Sequence, residues 1–304
     1  MATNTFNNGS ANLLWNDAGN WSLGHVPTDT EDVALGGFVV AINCARIPAA
    51  ANSRLGTITS AGTAGQLTLD LNVNGSTGLY ATTITPGTIG VGGFIVVIGA
   101  TANTFTVDVT TLAAGATSSN IGIYFNSTGS IIGTGALLAG TAANGHALVN
   151  QTTGTVTWTG PVSSNSNSGR GLKNVSTGSV VVNNGPVTGG SVGIAIENGS
   201  TGPISINDCI LQGGTGNGTH ALISPSVAPT FSNVQLVHSA KATAYYGWLP
   251  TWTPAITDYQ TWGAVEWVSV TALTAANIRK SIVSGHITGT YAFNINGIDV
   301  SGPA

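Results

Sequence analysis

A short turn phrase, Asn-x-Ser/Thr-Thr-Gly, returns at a regular interval along this chain and constrains the fold more than any other feature. Its asparagines in the second half of the chain are evenly spaced, and the first of these copies is one residue short. A constant period is typical of repeat architectures, in which each unit stacks on the next. The positions of the phrase are Asn126, Asn150, Asn174, Asn198, Gly154, Gly178 and Gly202.

The apolar residues around the phrase keep the same register. Leu148, Leu172 and Ile196 align before the turn, and valine or isoleucine alternates with polar residues after it. Alternation with a period of two favours strands, and so short a unit cannot bury its own apolar face unless neighbours stack on it. We therefore predict an all-β fold, a single-chain parallel β-solenoid (β-helix) with coils of about 24 residues.

The turn phrase also has a physical basis. Asparagine tolerates left-handed backbone angles, and glycine adopts positive φ without strain. Identical asparagines in stacked coils are expected to form an amide ladder along the rod. The same register places Lys173 one coil below Glu197, so we predict that these two side chains are neighbours.

Composition excludes several classes of protein. Only 6% of residues are charged, where about 25% is usual, and 42% are hydrophobic. This aliphatic content argues against disorder, and the net charge of −4 with scattered basic residues argues against nucleic-acid binding. No apolar run approaches the roughly 18 residues of a membrane span. We expect no membrane, cofactor or metal, and we expect Cys44 and Cys209 to be unpaired thiols.

The N-terminal segment carries a distinct phrase. Trp15 and Trp21 flank Asn-Asp-Ala-Gly-Asn, and Ser-Leu-Gly-His-Val-Pro27 and Asp32-Val33 follow. This phrase resembles the opening that precedes β-solenoids in phage virion proteins and bacterial surface proteins, over about residues 5–40. The resemblance implies a location on a particle or cell surface. In physical terms the segment is a cap: the tryptophans cover the first coil, and Asp29 and Asp32 close a turn.

The first ten residues lack the basic and apolar pattern of a secretory signal. We therefore expect a chain made in the host cytoplasm that reaches the surface inside an assembled particle.

The C-terminal part differs from the repeat. We predict three regions: an N-terminal cap with first strands over 1–60, the solenoid over 61–240, and an aromatic-rich attachment or oligomerisation module over 241–304. The module is expected to contain one short helix over 271–282 and a hairpin around Asn296-Gly297. Its aromatic residues are candidates for stacking on a sugar or for a core or subunit contact: Tyr245, Tyr246, Trp248, Trp252, Trp262 and Trp267.

Other polar groups offer weaker candidates. Glu197 and Asp208 are carboxylates of one coil but fall on different strands, so a catalytic pair would need a contact between subunits. The carboxylates between Asp29 and Asp32 suit either calcium or a capping turn, and we favour the turn. His146 and His220 occupy equivalent coil positions with Arg170 between them, which we interpret as a solvated stripe.

The function that we expect is a non-enzymatic phage virion structural protein, displayed on the particle surface as a capsid decoration or fibre component. By analogy with phage solenoids its partners are other copies, as a homotrimer, and other virion proteins of the capsid or tail. A tailspike-like protein that binds or depolymerises a host surface glycan is one alternative. A bacterial adhesin is the other.

Overall fold

A computed structural model describes most of the chain through residue 237 and short segments beyond it. The described ranges are 2–60, 65–86, 93–114, 121–140, 145–164, 169–215, 219–227, 229–237, 245–247, 259–262, 292–295 and 298–301.

Short β-strands make up nearly all of the regular structure. In chain order they are β1 Thr3–Thr5, β2 Asp32–Ala34, β3 Val39–Ala41, β4 Arg46–Ile47, β5 Leu55–Thr59, β6 Gln66–Asp70, β7 Thr77–Thr85, β8 Ile95–Gly99, β9 Thr104–Ala113, β10 Ile121–Ser127, β11 Ser130–Leu138, β12 His146–Asn150, β13 Thr155–Thr159, β14 Val162–Ser163, β15 Arg170–Asn174, β16 Val180–Asn183, β17 Pro186–Thr188, β18 Ile194–Asn198, β19 Ile204–Asn207, β20 Ile210–Gln212, β21 Leu222–Ser224, β22 Thr230–Ser232, β23 Val234–Val237, β24 Tyr245–Gly247, β25 Tyr259–Trp262, β26 Ala292–Ile295 and β27 Ile298–Ser301.

Helix is confined, in the described part of the chain, to a 3-10 turn at Ala18–Asn20 and a four-residue α-helix, α1, at Leu71–Asn74. Asp70 caps α1, since its side chain accepts a hydrogen bond from the backbone N–H of Asn72. Neither helix is long enough to cross a membrane. The helix predicted over 271–282 lies outside the described residues.

Parallel pairing joins the strands into three ladders, which confirms the predicted β-solenoid. The first ladder is β3-β6-β8-β10-β12-β15-β18-β21-β24. The second runs from β4 through the first halves of β7, β9 and β11 to β13, β16, β19 and β22. The third runs from β1, β2 and β5 through the second halves of β7, β9 and β11 to β14, β17, β20, β23 and β25. About eight coils stack in this way, about 25 residues apart.

The coil length is constant only around the repeated phrase. Val156 pairs with Val180, and Val180 pairs with Ile204 at the same interval. At the N-terminal end Thr3 pairs with Asp32, which is a longer interval. Parallel ladders tolerate this variation because extra residues enter the turns while the strands stay in register.

Inward side chains of successive coils form continuous columns. Leu148 pairs with Leu172, which pairs with Ile196, and all three are fully buried. Trp158 and Val182, predicted to align on the same side of the strand, pair in register and are also buried. Full burial of one such side chain stabilises the fold by roughly 1.5–3 kcal/mol, so the column is the main source of stability in each coil.

The N-terminal cap is an aromatic cluster. Trp15 and Trp21 are 1% and 2% exposed, and their ring centroids lie 4.8 Å apart in an edge-on arrangement. Phe6 packs edge-on against Trp21, and Trp21 Nε1 donates a hydrogen bond to the carbonyl of Trp15. The tryptophans therefore close the apolar end of the rod, as a cap over the first coil requires.

The acidic residues of the cap act differently from the prediction. Asp29 accepts a hydrogen bond from the backbone N–H of Arg54, and Asp32 accepts one from Thr57, so both fasten the cap to the next coil. The local turn is closed instead by Glu31, which accepts from the backbone N–H of Thr28. The prediction that Asp29 and Asp32 close the turn was wrong, because both carboxylates accept hydrogen bonds from backbone N–H groups of the next coil instead.

The parallel ladders extend beyond the predicted 61–240 segment on both sides. Strand β1 at Thr3–Thr5 already pairs in parallel with β2, and β24 and β25 extend the first and third ladders after residue 240. Strands β26 and β27 form an antiparallel hairpin in which Ile295 pairs with Ile298, as predicted around residues 296–297.

Candidate functional site

The first ladder carries a compact group of charged side chains on its outward face. Lys173 on β15 pairs in register with Glu197 on β18, as predicted, and their side chains form an ion pair of 3.9 Å. Arg170, also on β15, makes a closer contact: its Nε lies 2.5 Å from Glu197 Oε2. The carboxylate of Glu197 is thus shared by two cations from the coil below. We call Lys173, Arg170, Glu197 and the adjoining His146 the charged cluster.

His146 lies one coil below Arg170 and is 7% exposed. The backbone N–H of Arg170 donates a hydrogen bond of 3.1 Å to His146 Nδ1, so this nitrogen is an acceptor. Burial, assisted by the charges of Lys173 and Arg170 and opposed by Glu197, lowers the pKa of His146 to about 4. The ring is therefore neutral at neutral pH. The predicted solvated stripe is wrong for His146, because this side chain is buried.

The second carboxylate of the same coil lies elsewhere. Asp208 follows β19, at the corner between the second and third ladders, and accepts a hydrogen bond from Asn233 Nδ2. Glu197 is on the first ladder, so the structure does not bring the two carboxylates together within this chain. Within the described residues no group of three or more His, Cys, Asp or Glu side chains is arranged to hold a metal ion.

The predicted amide ladder is present and fully buried over three coils. Asn150 Nδ2 donates to Asn174 Oδ1 at 3.0 Å, and Asn174 Nδ2 donates to Asn198 Oδ1 at 2.8 Å. Asn198 Nδ2 donates to the hydroxyl oxygen of Ser224, which ends the ladder. Each amide also donates to the glycine carbonyl four residues later in its own coil, at Gly154, Gly178 and Gly202.

Asn126 stands outside this ladder. Phe125, and not Asn126, pairs in register with Asn150, and Asn126 is exposed. The physical reason is the coil length: Phe125 pairs with Asn150 before the turn and Ser130 pairs with Thr155 after it, so this coil is one residue longer than the spacing of the asparagines. Asn126 therefore falls one residue after the ladder position, which Phe125 occupies. Consequently Asn150 Oδ1 is buried against Phe125 without a hydrogen-bond partner.

The glycines of the phrase are required by close approach rather than by backbone angle. Gly154, Gly178 and Gly202 do not have positive φ, and neither do the three ladder asparagines. A Cβ on Gly178 would collide with the carbonyl oxygen of Gly154 one coil below, and one on Gly202 would collide with that of Gly178. The expected left-handed geometry of the phrase was therefore wrong, and glycine is needed because the stacked turns touch.

Left-handed geometry occurs instead at the corner between the second and third ladders. Asn184, Asp208 and Asn233 occupy this corner in successive coils, with φ of 53°, 53° and 51°. Just before it, Asn207 Nδ2 donates to Asn183 Oδ1 at 2.9 Å. The sequence contains the signal for this second set of polar contacts, since Asn183-Asn184 and Asn207-Asp208 are separated by the same interval as the turn phrase.

The aromatic candidates near the C-terminus are only partly placed. Tyr245 and Tyr246 lie in β24 and Trp262 lies in β25, so these three belong to strands that continue the solenoid. Trp248, Trp252 and Trp267 lie outside the described residues.

Comparison with known proteins gives no relative. No known family matches the chain, and neither the curated proteins nor the solved structures yield a significant match.

Proposed function

We propose that this chain is a non-enzymatic structural protein of a phage particle, displayed on the particle surface as a capsid decoration or fibre component. The observation that best supports this proposal is the continuous stack of parallel coils. Its buried asparagines form hydrogen bonds from one coil to the next. A rod of this kind gains stability from every added coil, and it presents a regular exterior.

The carboxylates support a structural role. Among the described side chains, Asp108 pairs with Arg54 at 2.6 Å, Glu197 pairs with Arg170, and Glu31 contacts His25 at 2.8 Å. The remaining acidic side chains through residue 237 accept hydrogen bonds from backbone N–H groups or from polar side chains; they are Asp17, Asp29, Asp32, Asp70 and Asp208. Glycan hydrolysis needs two carboxyl groups facing one bond, whereas each of these groups is held by an ion pair or hydrogen bonds, either within its own turn or to the next coil.

The exterior of the second ladder is polar and uncharged. Thr155, Thr157 and Thr159 point outward from β13, in alternation with the buried Val156 and Trp158. Hydroxyl groups stay uncharged at any pH that a protein meets, so this regular exterior suits a structural role that does not depend on titration. Virion placement itself rests on the N-terminal phrase, whose tryptophans close the first coil.

Immunogold electron microscopy tests the location. Antibodies against the purified chain are applied to phage particles and to host cells from a culture that encodes it. Regular labelling of heads or tails is expected. Labelling confined to the outer surface of uninfected cells would overturn the virion assignment in favour of an adhesin.

A polysaccharide assay tests the absence of activity. The purified chain is incubated with capsular and lipopolysaccharide preparations of the host, and reducing ends and binding are measured on the same samples. No new reducing ends are expected. Release of oligosaccharides would establish a depolymerase, and specific binding without cleavage would establish a receptor-binding protein.

A further inference from the structure

Charge is distributed unevenly among the three faces of the solenoid. Between residues 121 and 237 the described charged or titratable side chains on strands are Tyr124, His146, Arg170, Lys173 and Glu197, and all five lie on the first ladder. Asp208, at a corner, is the one described acidic residue beside the second and third ladders in this range. Two adjacent faces of the rod are therefore almost free of charge over five successive coils.

The same two faces expose apolar side chains. Ile132 on β11 is 49% exposed, and Ile210 on β20 is 43% exposed. Pro161 and Pro186 are exposed at the start of the third-ladder strands, and Pro186 pairs in register with Ile210. We call the outward residues of the second and third ladders from Ser130 to Val237 the uncharged strip.

This composition is that of an interface rather than of a free surface. Buried interface cores are depleted of charged residues, whereas exposed surfaces rely on mixed charge to stay soluble. The uncharged strip is five coils high, at roughly 4.8 Å per coil, and about eight strand residues wide, at about 3.3 Å per residue. Its area is therefore roughly 600 Å². Two copies would then bury about 1,200 Å² in total, within the range of specific protein–protein interfaces.

We infer that the uncharged strip is the surface through which copies of this chain associate side by side. A second copy fits because its coils repeat at the same spacing, so a contact made by one coil is repeated by the next. This inference rests on the structural role proposed above and deepens it by naming the interface.

Sedimentation of paired variants tests it. Ile132→Lys and Ile210→Lys each place a charge in the strip, and Ile98→Lys is the matched control. Ile98 is 41% exposed on the first ladder, so the same charge enters a similar site outside the strip. The wild-type chain is expected to be an oligomer. Each strip variant should raise the dissociation constant at least tenfold, and Ile98→Lys should leave it unchanged.

A monomeric wild-type chain, or equal weakening by all three lysines, would overturn the inference. Thermal unfolding of each variant shows whether it folds. If a strip variant does not fold, Thr157→Lys replaces it, because Thr157 pairs with Ile132 in the same outward column. Its control is Thr68→Lys, which places the same charge on the first ladder.

Salt dependence gives a second readout. Association through the uncharged strip should change little between 0.05 and 1 M salt, because no ion pairs are screened. Association that weakens steeply with salt, and that is lost in Glu197→Gln, would assign the interface to the charged cluster and overturn the proposal. Neither result bears on particle location, which the labelling experiment decides separately.

Discussion

The side-chain amide of Asn174 donates to Asn198 Oδ1 at 2.8 Å while its own Oδ1 accepts from Asn150. Its second N–H is donated to the carbonyl of Gly178 at 3.1 Å, and the whole side chain is buried. One residue thus satisfies polar groups in three coils. Because no water reaches these groups, each bond lost here leaves a buried partner unsatisfied.

Replacing Asn174 with alanine should therefore destabilise the solenoid strongly. The change would leave the Gly178 carbonyl, Asn198 Oδ1 and one N–H of Asn150 without partners, at a cost of about 2–4 kcal/mol. Urea unfolding followed by circular dichroism measures the effect. Asn126→Ala is the control, since Asn126 belongs to the same phrase but is exposed and outside the ladder; its change should stay within about 0.5 kcal/mol. Equal effects of the two substitutions would contradict the ladder.

Gly178→Ala tests the close approach of stacked turns. The added Cβ would meet the Gly154 carbonyl, so the coils must separate locally, at a cost of about 1–3 kcal/mol. Gly199→Ala in the next coil is the matched control, because the nearest atom to its Cβ would be the Asn174 carbonyl oxygen at 3.7 Å. The melting temperature should fall for Gly178→Ala alone. A fall of the same size in both variants would indicate a general loss of turn flexibility instead.

The architecture and the inward columns could be predicted from sequence because both follow from periodicity. A constant interval determines which residues stack, and this is why Leu148, Leu172 and Lys173 were placed correctly. Where the coil length changes, the prediction failed. The coil from Phe125 to Asn150 is one residue longer than the spacing of the asparagines, so Asn126 lies outside the ladder although it keeps the regular spacing from Asn150.

Features that depend on contact between coils were harder to predict. A glycine in the turn phrase can be required either because its φ is positive or because a neighbouring coil leaves no room for a Cβ, and the sequence does not distinguish these cases. Gly178 is required because a Cβ would collide with the neighbouring coil. His146 was expected in solvent because its position alternates outward, but it is buried next to Arg170. The alternation of apolar and polar residues predicts the face of the strand on which a side chain lies. Whether an outward side chain is buried depends on the long neighbouring side chains that cover it.

Both cysteines should behave as unpaired, poorly reactive thiols. Cys209 is 3% exposed and Cys44 is half-buried, and burial raises the pKa of both thiols. Since the thiolate is the reactive form, labelling of the folded chain by a maleimide should be slow. Cys44 should react first, and Cys44→Ser should remove this faster phase. Unfolding in urea without a reducing agent should expose both thiols to the maleimide; an unfolded chain that still shows no free thiol would contradict this assignment.

The acid dependence of stability should be dominated by His146. Its pKa is lowered to about 4 in the folded chain, from 6.5 when exposed, so the unfolded chain binds the extra proton between these values. The stability contributed by the neutral ring is therefore complete above pH 6.5 and is lost as the pH falls towards 4, by up to roughly 3 kcal/mol. Urea midpoints measured from pH 7.5 to 4.5 should show this decline, and His146→Gln should flatten it.

His25→Gln is the control for this experiment. Its hydrogen bond with Glu31 raises the pKa of His25, so its linkage has the opposite sign: that contribution is present at low pH and is lost as the pH rises. The acid decline should therefore persist in His25→Gln. If His146→Gln declined as steeply as the wild type, protonation elsewhere would be responsible, and the neutral, hydrogen-bonded state assigned to His146 would be wrong.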